Sequence, residues 1–425
     1  MLYQPWVTAA DWENRDPALR HLQAQPAVLE HTLALSRSID VRPPGIVIVR
    51  GPRQVGKSTF LSQFCQKCLA EGVAPRHLAL LDAENYDTRQ ELQFDMNEFL
   101  KPDETFRVLC IDEVTSVPNW WKAIKVLADR GLFDNALAVL TGSSADDLDA
   151  GADRLPGRRG RRYPLDYFLA PVPYRLLRGV VSLDDYFLTG GMPWAINELL
   201  REGQIPPHVY ELYAGWIQGA FTRNNHSIGV LDTLLTYLTA RVGTPVSVTS
   251  LSRDCGLGSN HTGETYLQVL ERNYALLTSR WAEPGSRTTA PRKNRKFYPA
   301  DPFLYHLFAN AGRGWHGAFL RSRDSIADTA VTAKIAECIV AAACRTIPGM
   351  TPLRYFLGQR EIDFCGDECI EVKYQNLVRP AEFQWLEKVL PRTMSLTVVT
   401  RNDSGGSGRI RLVPLDKWLC EETAR

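Results

Sequence analysis

Three groups of residues have the types and spacing to do chemistry. The first is GPRQVGKST, in which Gly51 is followed after four residues by Gly56, Lys57 and Ser58. Glycines at both ends let such a loop curl until successive amides point into one concavity, and a helix starting there adds its positive end. Gly51, Pro52, Arg53, Gln54, Val55, Gly56, Lys57, Ser58 and Thr59 would then surround a triphosphate. Lys57 would reach the β and γ phosphates, and the Ser58 hydroxyl would take one position on a magnesium ion. ATP and Mg are therefore the expected cofactors.

The second group is the acid pair that closes VLCIDE, Val108 to Glu113. A mostly apolar strand ending in two carboxylates puts them where doubly wound sheets place ligands. Asp112 would hold magnesium through water, and Glu113 would orient and deprotonate the attacking water. Ala136 to Leu140 is a further strand that runs into Thr141, Gly142, Ser143 and Ser144. There Ser143 reads either as a sensor of the γ phosphate or as a plain turn residue. In RLPGRRGRRYPL, Arg158, Arg159, Arg161 and Arg162 crowd together. One of them, with Arg158 the candidate, reads as an arginine finger acting on its own or a neighbouring copy's nucleotide. The alternative is solvated or DNA-facing arginines.

The third group lies in EIDFC, GDE and CIEVK. Side chains alternate along a strand, so Glu361 and Asp363 share one face, and Glu371 and Lys373 lie opposite Ile370 and Val372. A hard metal ion needs oxygen ligands, which Asp363, Glu371 and the Val372 carbonyl could supply, while Lys373 could activate a water for phosphodiester attack. Glu337 is the one acid on the apolar helix Ala333 to Cys344 and completes the set. The competing reading is an exposed strand that alternates Glu and Lys for solubility.

The elements that must position these groups are legible in outline. Apolar residues at helical spacing over 11–40 predict helices beside the first strand, Gly45 to Val49. Phe60, Leu61, Phe64, Cys68 and Leu69 mark one face of the helix after the loop, and His77 to Leu81 predicts the second strand. Pro118 to Leu127 predicts a helix. Residues 166–240 are rich in Tyr, Leu and Trp and offer core rather than chemistry. From Thr244 the pattern is helix, turn and helix, with Val248, Leu251, Tyr266, Leu267, Leu270 and Tyr274 apolar. RKNRKFYPADPFL would return as a wing strand, where Arg287, Arg292, Lys293, Arg295 and Lys296 could neutralise phosphates. Tyr355 to Leu357 predicts a strand, PAEFQWLEKVL a helix, SLTVVT a strand, and IRLVPLDKWL a closing strand and helix.

GPRQVGKST, VLCIDEV followed by PNWWKAIK, LTGSSA and the Gly-Arg segment before YPLDYF resemble the AAA-type ATPases of prokaryotes that carry a C-terminal domain of unknown function. Tyr186, Phe187, Gly190, Gly191, Met192 and Pro193 resemble that family's helical connector, and the helix-turn-helix segment resembles its winged-helix module. The helix with Glu337, the hairpin with Asp363 and Glu371-x-Lys373, and the following helix and strand resemble the restriction-endonuclease-like nuclease fold. The resemblance implies an α/β chain: a P-loop NTPase domain with a parallel sheet of the additional-strand type over 1–165, a helical connector over 166–240, a winged helix over 241–312 and a restriction-endonuclease-like α/β domain over 313–425. It also implies that the Asp112-Glu113 strand lies beside the strand of the phosphate loop.

Composition bounds the partners. At 425 residues the chain exceeds one ordinary core, and 44% hydrophobic content is typical of globular protein. A formal charge of +1 gives no global pull toward nucleic acid, so DNA binding would come from local patches. Nine cysteines show no repeated pair spacing, which reads as reduced and cytoplasmic. There is no apolar run of about eighteen residues and no apolar leader, so neither a membrane span nor an export signal is expected. His77, His208, His226, His261, His306 and His316 have no ligand spacing. Two functions follow: an ATPase that couples hydrolysis to nucleic-acid binding or metal-dependent DNA cleavage, and a nucleotide-driven switch or regulator that does not cut. The arginine cluster raises a homo-oligomer as a partner arrangement.

Overall fold

The computed structural model describes residues 3–9, 11–22, 26–101, 103–143, 148, 151–161, 164–224 and 226–421. The chain divides into two compact units, Met1–Val172 and Pro173–Arg425.

The first unit is built on strands rich in β-branched and apolar residues. β1 (Gly45–Arg50) buries Ile46, Val47, Ile48 and Val49 completely, as a strand covered on both faces must. It follows the helix α1 (Pro26–Ser38) and leads through the phosphate loop into α2 (Lys57–Ala70). Then come β2 (Leu78–Asp82), α3 (Arg89–Phe99), β3 (Arg107–Asp112), α4 (Trp120–Asp129), β4 (Ala136–Gly142) and β5 (Asp166–Phe168). The sheet order is β2-β3-β4-β1-β5 and every pairing is parallel. Helices α3 and α4 bury Leu92, Met96, Phe99, Trp120, Ile124 and Leu127 against one face of it.

The order corrects one expectation. The strand ending in Asp112 is not next to β1, because β4 lies between them. All seven residues of β4 are buried, and a strand so apolar is satisfied only with a hydrogen-bonded neighbour on each side. Its register aligns Gly142 with Arg50 and Leu140 with Ile111, so Thr141 and Ser143 emerge between the phosphate loop and the acid pair.

After a short helical turn at Tyr174–Leu177, the second unit runs through the helices α5 (Leu183–Thr189), α6 (Pro193–Glu202), α7 (Pro207–Arg223) and α8 (Leu231–Ala240). The pair α9 (Val248–Asp254) and α10 (Asn260–Arg272) follows. Each is capped by a serine: Ser247 accepts from the Ser250 amide and Ser259 from the Thr262 amide. β6 (Leu276–Trp281) and β7 (Arg295–Pro299) form an antiparallel hairpin, and α11 (Pro302–Ala309), α12 (Ala318–Ser325) and α13 (Thr329–Cys344) come next. β8 (Arg354–Leu357) pairs in parallel with β6 and antiparallel with β9 (Glu361–Ile362).

At Asp363 the chain changes sheets. β10 (Phe364–Cys365) pairs with β11 (Cys369–Lys373) at the edge of a second sheet, which continues through β12 (Leu396–Thr400) and β14 (Ile410–Pro414) to β13 (Gly405–Ser407). α14 (Leu415–Glu421) closes the unit. The segment Pro380–Lys388, expected as a helix, is one of the 3-10 type. Three residues per turn stack Phe383 over Leu386, and both are buried beside Leu396 and Leu412.

Candidate functional site

The phosphate loop closes on its own lysine. Lys57 is the first residue of α2, is 5% exposed, and points its Nζ at the carbonyls of Gly51 (3.3 Å) and Pro52 (2.9 Å). The curl depends on backbone that ordinary residues avoid: Gly56 has φ 100° and Gln54 φ 65°. Gly51 has no room for a side chain, because an added Cβ would lie 2.3 Å from the Leu169 carbonyl oxygen.

The acid pair meets that lysine across β4. Glu113 Oε1 lies 3.2 Å from Lys57 Nζ, and its Oε2 accepts from the Ser143 amide (3.1 Å) and hydroxyl (3.0 Å). Burial alone would raise the Glu113 pKa, but Lys57, Ser143 and Arg53 together hold it below the ordinary glutamate value. Its backbone is left-handed, φ 45°, and its amide donates to Asp112 Oδ1 (3.1 Å) and Thr141 Oγ1 (3.2 Å). Thr141 donates in turn to Asp112 Oδ1 at 2.5 Å, and the Ser58 hydroxyl bonds the same carboxylate. Burial nonetheless pushes the Asp112 pKa up, and the charge of Glu113 adds to this. A buried carboxylate bridged to a serine at a helix start is the donor set a magnesium ion takes, so Ser58 and Asp112 fit that ion. Thr141 was not singled out by its sequence; the only signal is that it follows Leu140 on the same strand.

The second acidic group also assembles, with a partner that sequence reasoning assigned elsewhere. Glu371 Oε1 pairs with Lys373 Nζ at 2.7 Å, and Glu371 Oε2 accepts from the Asp363 amide at 3.2 Å. Asp363 Oδ2 accepts from the Val372 amide at 2.9 Å. Asp363 Oδ1 lies 2.8 Å from Nζ of Lys296, which is fully buried on β7 and also ion-pairs Glu361. Glu337 on α13 is close enough for its charge and those of Asp363 and Glu371 to act on one another. Burial first, then this mutual repulsion, push the Glu337 and Glu371 pKa values up. Glu337 Oε2 is buried with no hydrogen-bond partner.

The expected metal ligands Glu337, Asp363 and Glu371 are thus gathered, but not as an open oxygen set, because a lysine ammonium lies among them. Among the described residues no group of three or more His, Cys, Asp or Glu is arranged to hold a metal ion. The wing reading is corrected at the same place. Lys296 cannot reach a phosphate, and Arg295 is held by both Glu264 oxygens at 2.6 and 2.8 Å. Arg287, Arg292 and Lys293 stay exposed.

Residues 43–174 match a family model described as an AAA domain, and residues 181–313 match one described as a domain of unknown function, DUF8612. The first unit therefore carries a phosphate-loop domain of the AAA type over residues 43–174. A curated relative, an uncharacterized protein of Haemophilus influenzae, is 27% identical over 256 residues, covering 54% of this chain and 60% of that protein. The chain therefore spans less than two thirds of that relative's length. Among solved structures, the Walker-type ATPase PABY2304 of Pyrococcus abyssi is 17% identical with a TM-score of 0.43, over 67% of this chain and 95% of that one. The ORC1 protein of Aeropyrum pernix, solved in complex with DNA, is 13% identical with a TM-score of 0.32, over 75% and 98%. Both scores are low, and the assignment rests on the family match and on the loop itself.

Within the AAA domain the arginines are not where a finger on the chain's own nucleotide would be. Arg158 Nε binds Asp129 at 2.5 Å, at the end of α4. Arg159 binds the Ile46 carbonyl, the Leu165 carbonyl and Asp166, and its own carbonyl accepts from the Ile46 amide. The backbone of both therefore lies at the start of β1, the end opposite the loop, while the Arg159 guanidinium reaches along the strand to the Asp166 that Arg50 also holds. Arg161 is exposed. Arg162 and Ser144 lie outside the described residues. Arg53 is exposed and pairs with Glu84 at 3.3 Å. No helix among the described residues is long and apolar enough to cross a membrane.

Proposed function

We propose that the AAA domain binds ATP with Mg and hydrolyses it, and that this cycle drives a switch in which the second unit binds nucleic acid without cutting it. The observation that carries the reading is the meeting of Lys57, Asp112, Glu113, Thr141 and Ser143 at the carboxyl ends of β1, β3 and β4. Loop amides and the α2 start bind the phosphates, and Lys57 turns from its own carbonyls and Glu113 to the β and γ oxygens. Released from Lys57, Glu113 loses the charge that depresses its pKa and becomes a better base for a water on the γ phosphate. Ser143 keeps the carboxylate aimed. Ser58 and Asp112 would hold magnesium, which neutralises phosphate charge when bound. Arg158, pinned to Asp129 at the end of the sheet opposite the loop, serves a nucleotide only on a neighbouring copy.

Nucleic-acid binding is supported by the exposed Arg287, Arg292 and Lys293 between β6 and β7, in the hairpin that follows the paired helices α9 and α10. The non-cutting form is favoured over metal-dependent cleavage because Asp363 and Glu371 are already paired to lysines.

Phosphate release and retention of a labelled duplex, with and without ATP and Mg or Mn, test this. Lys57→Ala should lose ATP binding and Glu113→Gln should bind without turnover. Equal ATP affinity in wild type and Lys57→Ala refutes the nucleotide assignment. Cleavage that disappears in Glu371→Ala and survives in Lys57→Ala refutes the non-cutting form.

A further inference from the structure

Lys296 is an unusual residue for its position. It is 0% exposed on β7, followed by the buried Phe297 and Tyr298 and aligned with Ser279 of β6. A lysine is almost never buried this far unless paired, and here it has Asp363 Oδ1 at 2.8 Å, Glu361, and the Tyr355 ring at 5.5 Å. Its ammonium cannot swing to solvent while β7 stays in its sheet.

We propose that the Lys296 ammonium stands where a divalent cation would have to sit among Glu361, Asp363, Glu371 and Glu337, and that it closes this centre to divalent metals. The inference sharpens the reading of the second unit given above and does not depend on ATP turnover.

The hydrogen bonds and the charge count agree on this. A hard divalent cation takes six or more oxygen ligands and needs several carboxylate oxygens not already held by another cation. Of the oxygens facing this centre, Asp363 Oδ1 and one Glu361 oxygen are held by Lys296, and Glu371 Oε1 by Lys373. Asp363 Oδ2 and Glu371 Oε2 accept from the backbone amides of Val372 and Asp363, which fixes both carboxylates against rotation. Glu337 Oε2 is buried with no hydrogen-bond partner, and one such oxygen does not make a site.

The charge is also partly met, since two lysine ammonium groups lie among the carboxyl groups of this centre. A divalent cation entering beside a fixed ammonium would be repelled at short range in a low-dielectric interior. The lysine comes from the β6–β7 hairpin and its acids from the strand that crosses between the two sheets. The same contact that excludes metal therefore ties these sheets together.

The test is a Mn titration of the full-length, nucleotide-free protein followed by electron paramagnetic resonance, with no readout of activity. Wild type should show no bound Mn that Asp363→Asn removes. Lys296→Met should gain one bound Mn, and Lys296→Met with Asp363→Asn should lose it again. Asp363-dependent Mn binding in wild type overturns the proposal. So does a folded Lys296→Met, judged by circular dichroism, that gains no ion. If Lys296→Met does not fold, wild type against Asp363→Asn still decides: no difference supports the closed centre, and loss of an ion in the variant overturns it. Failure of ATP hydrolysis would leave all these results unchanged, so the two readings fail separately.

Discussion

Glu113→Gln should bind ATP more tightly than wild type while turning it over far more slowly. The reason is a competition visible at the loop. Before ATP arrives, Lys57 Nζ holds Glu113 Oε1 at 3.2 Å, with the two side chains only 4% and 17% exposed. Lys57 must give up that bond to reach the phosphates. A hydrogen bond to a charged group contributes about 1.5–3 kcal/mol, and a neutral amide oxygen in the same place would retain about half of it. The variant should therefore save about 1 kcal/mol on binding, a roughly fivefold lower Kd. Removing the base should cost turnover about 10²–10⁴-fold.

A fluorescent ATP analogue titrated with Mg gives the affinity, and single-turnover phosphate release gives the chemistry. The affinity gain should be flat from pH 6 to 8, because Lys57 and Ser143 hold the Glu113 pKa below its ordinary value and the carboxylate stays charged throughout. Weaker binding by Glu113→Gln, or turnover within tenfold of wild type, would refute both the competition and the assignment of the base.

Lys296→Met should destabilise the chain by about 3–5 kcal/mol in urea unfolding, since it strands buried carboxylates, and adding Asp363→Asn should restore much of the loss. A cost under about 1 kcal/mol would show that the pair carries little. Asp301, fully buried at the start of α11, has its pKa raised to about 7 by burial, against which the Gly191 and Phe303 amides pull only partly. The folded form thus holds a proton that the unfolded chain releases, and stability is full below about pH 4 and lost as pH rises through 7. Wild type should therefore lose more stability between pH 5 and 8 than Asp301→Asn, and equal losses would refute the burial account. Arg158→Ala should leave ATP affinity unchanged while lowering turnover only at protein concentrations where copies associate. A loss independent of concentration would place the arginine at its own nucleotide.

How far the sequence could be read depended on whether each contact is local. The phosphate loop, its helix and the acid pair were legible because strand, turn and helix start follow one another within a few residues, and glycine at Gly56 answers a backbone need that no other residue meets. Asp363, Glu371 and Lys373 were legible because strand alternation fixes which side chains share a face. Which copy's nucleotide Arg158 could serve was not legible, for a related reason. An arginine-rich turn looks the same at either end of a sheet, and only the pairing of Arg159 with Ile46 reveals which end it occupies. The place of β4 between β1 and β3 is another pairing across the sheet that no local pattern displays.

Lys296 is the sharpest case. In the string RKNRKFYP it is one of four basic residues in a charged loop, and the one acid within ten positions, Asp301, caps a helix instead of pairing with it. Its acids lie more than sixty residues later, Asp363 at a separation of 67. One local clue existed: the residues after it, Phe297 and Tyr298, are large and apolar, so the strand they start had to be buried on both faces and a lysine in it had to find a countercharge. That requirement could be stated from sequence, but its solution could not, because Glu337, Asp363 and Glu371 already seemed matched to a metal. Two cations can satisfy the same carboxylates, an ion from solution or a lysine from the chain. Patterns of acids alone cannot distinguish them, and the buried partner decides.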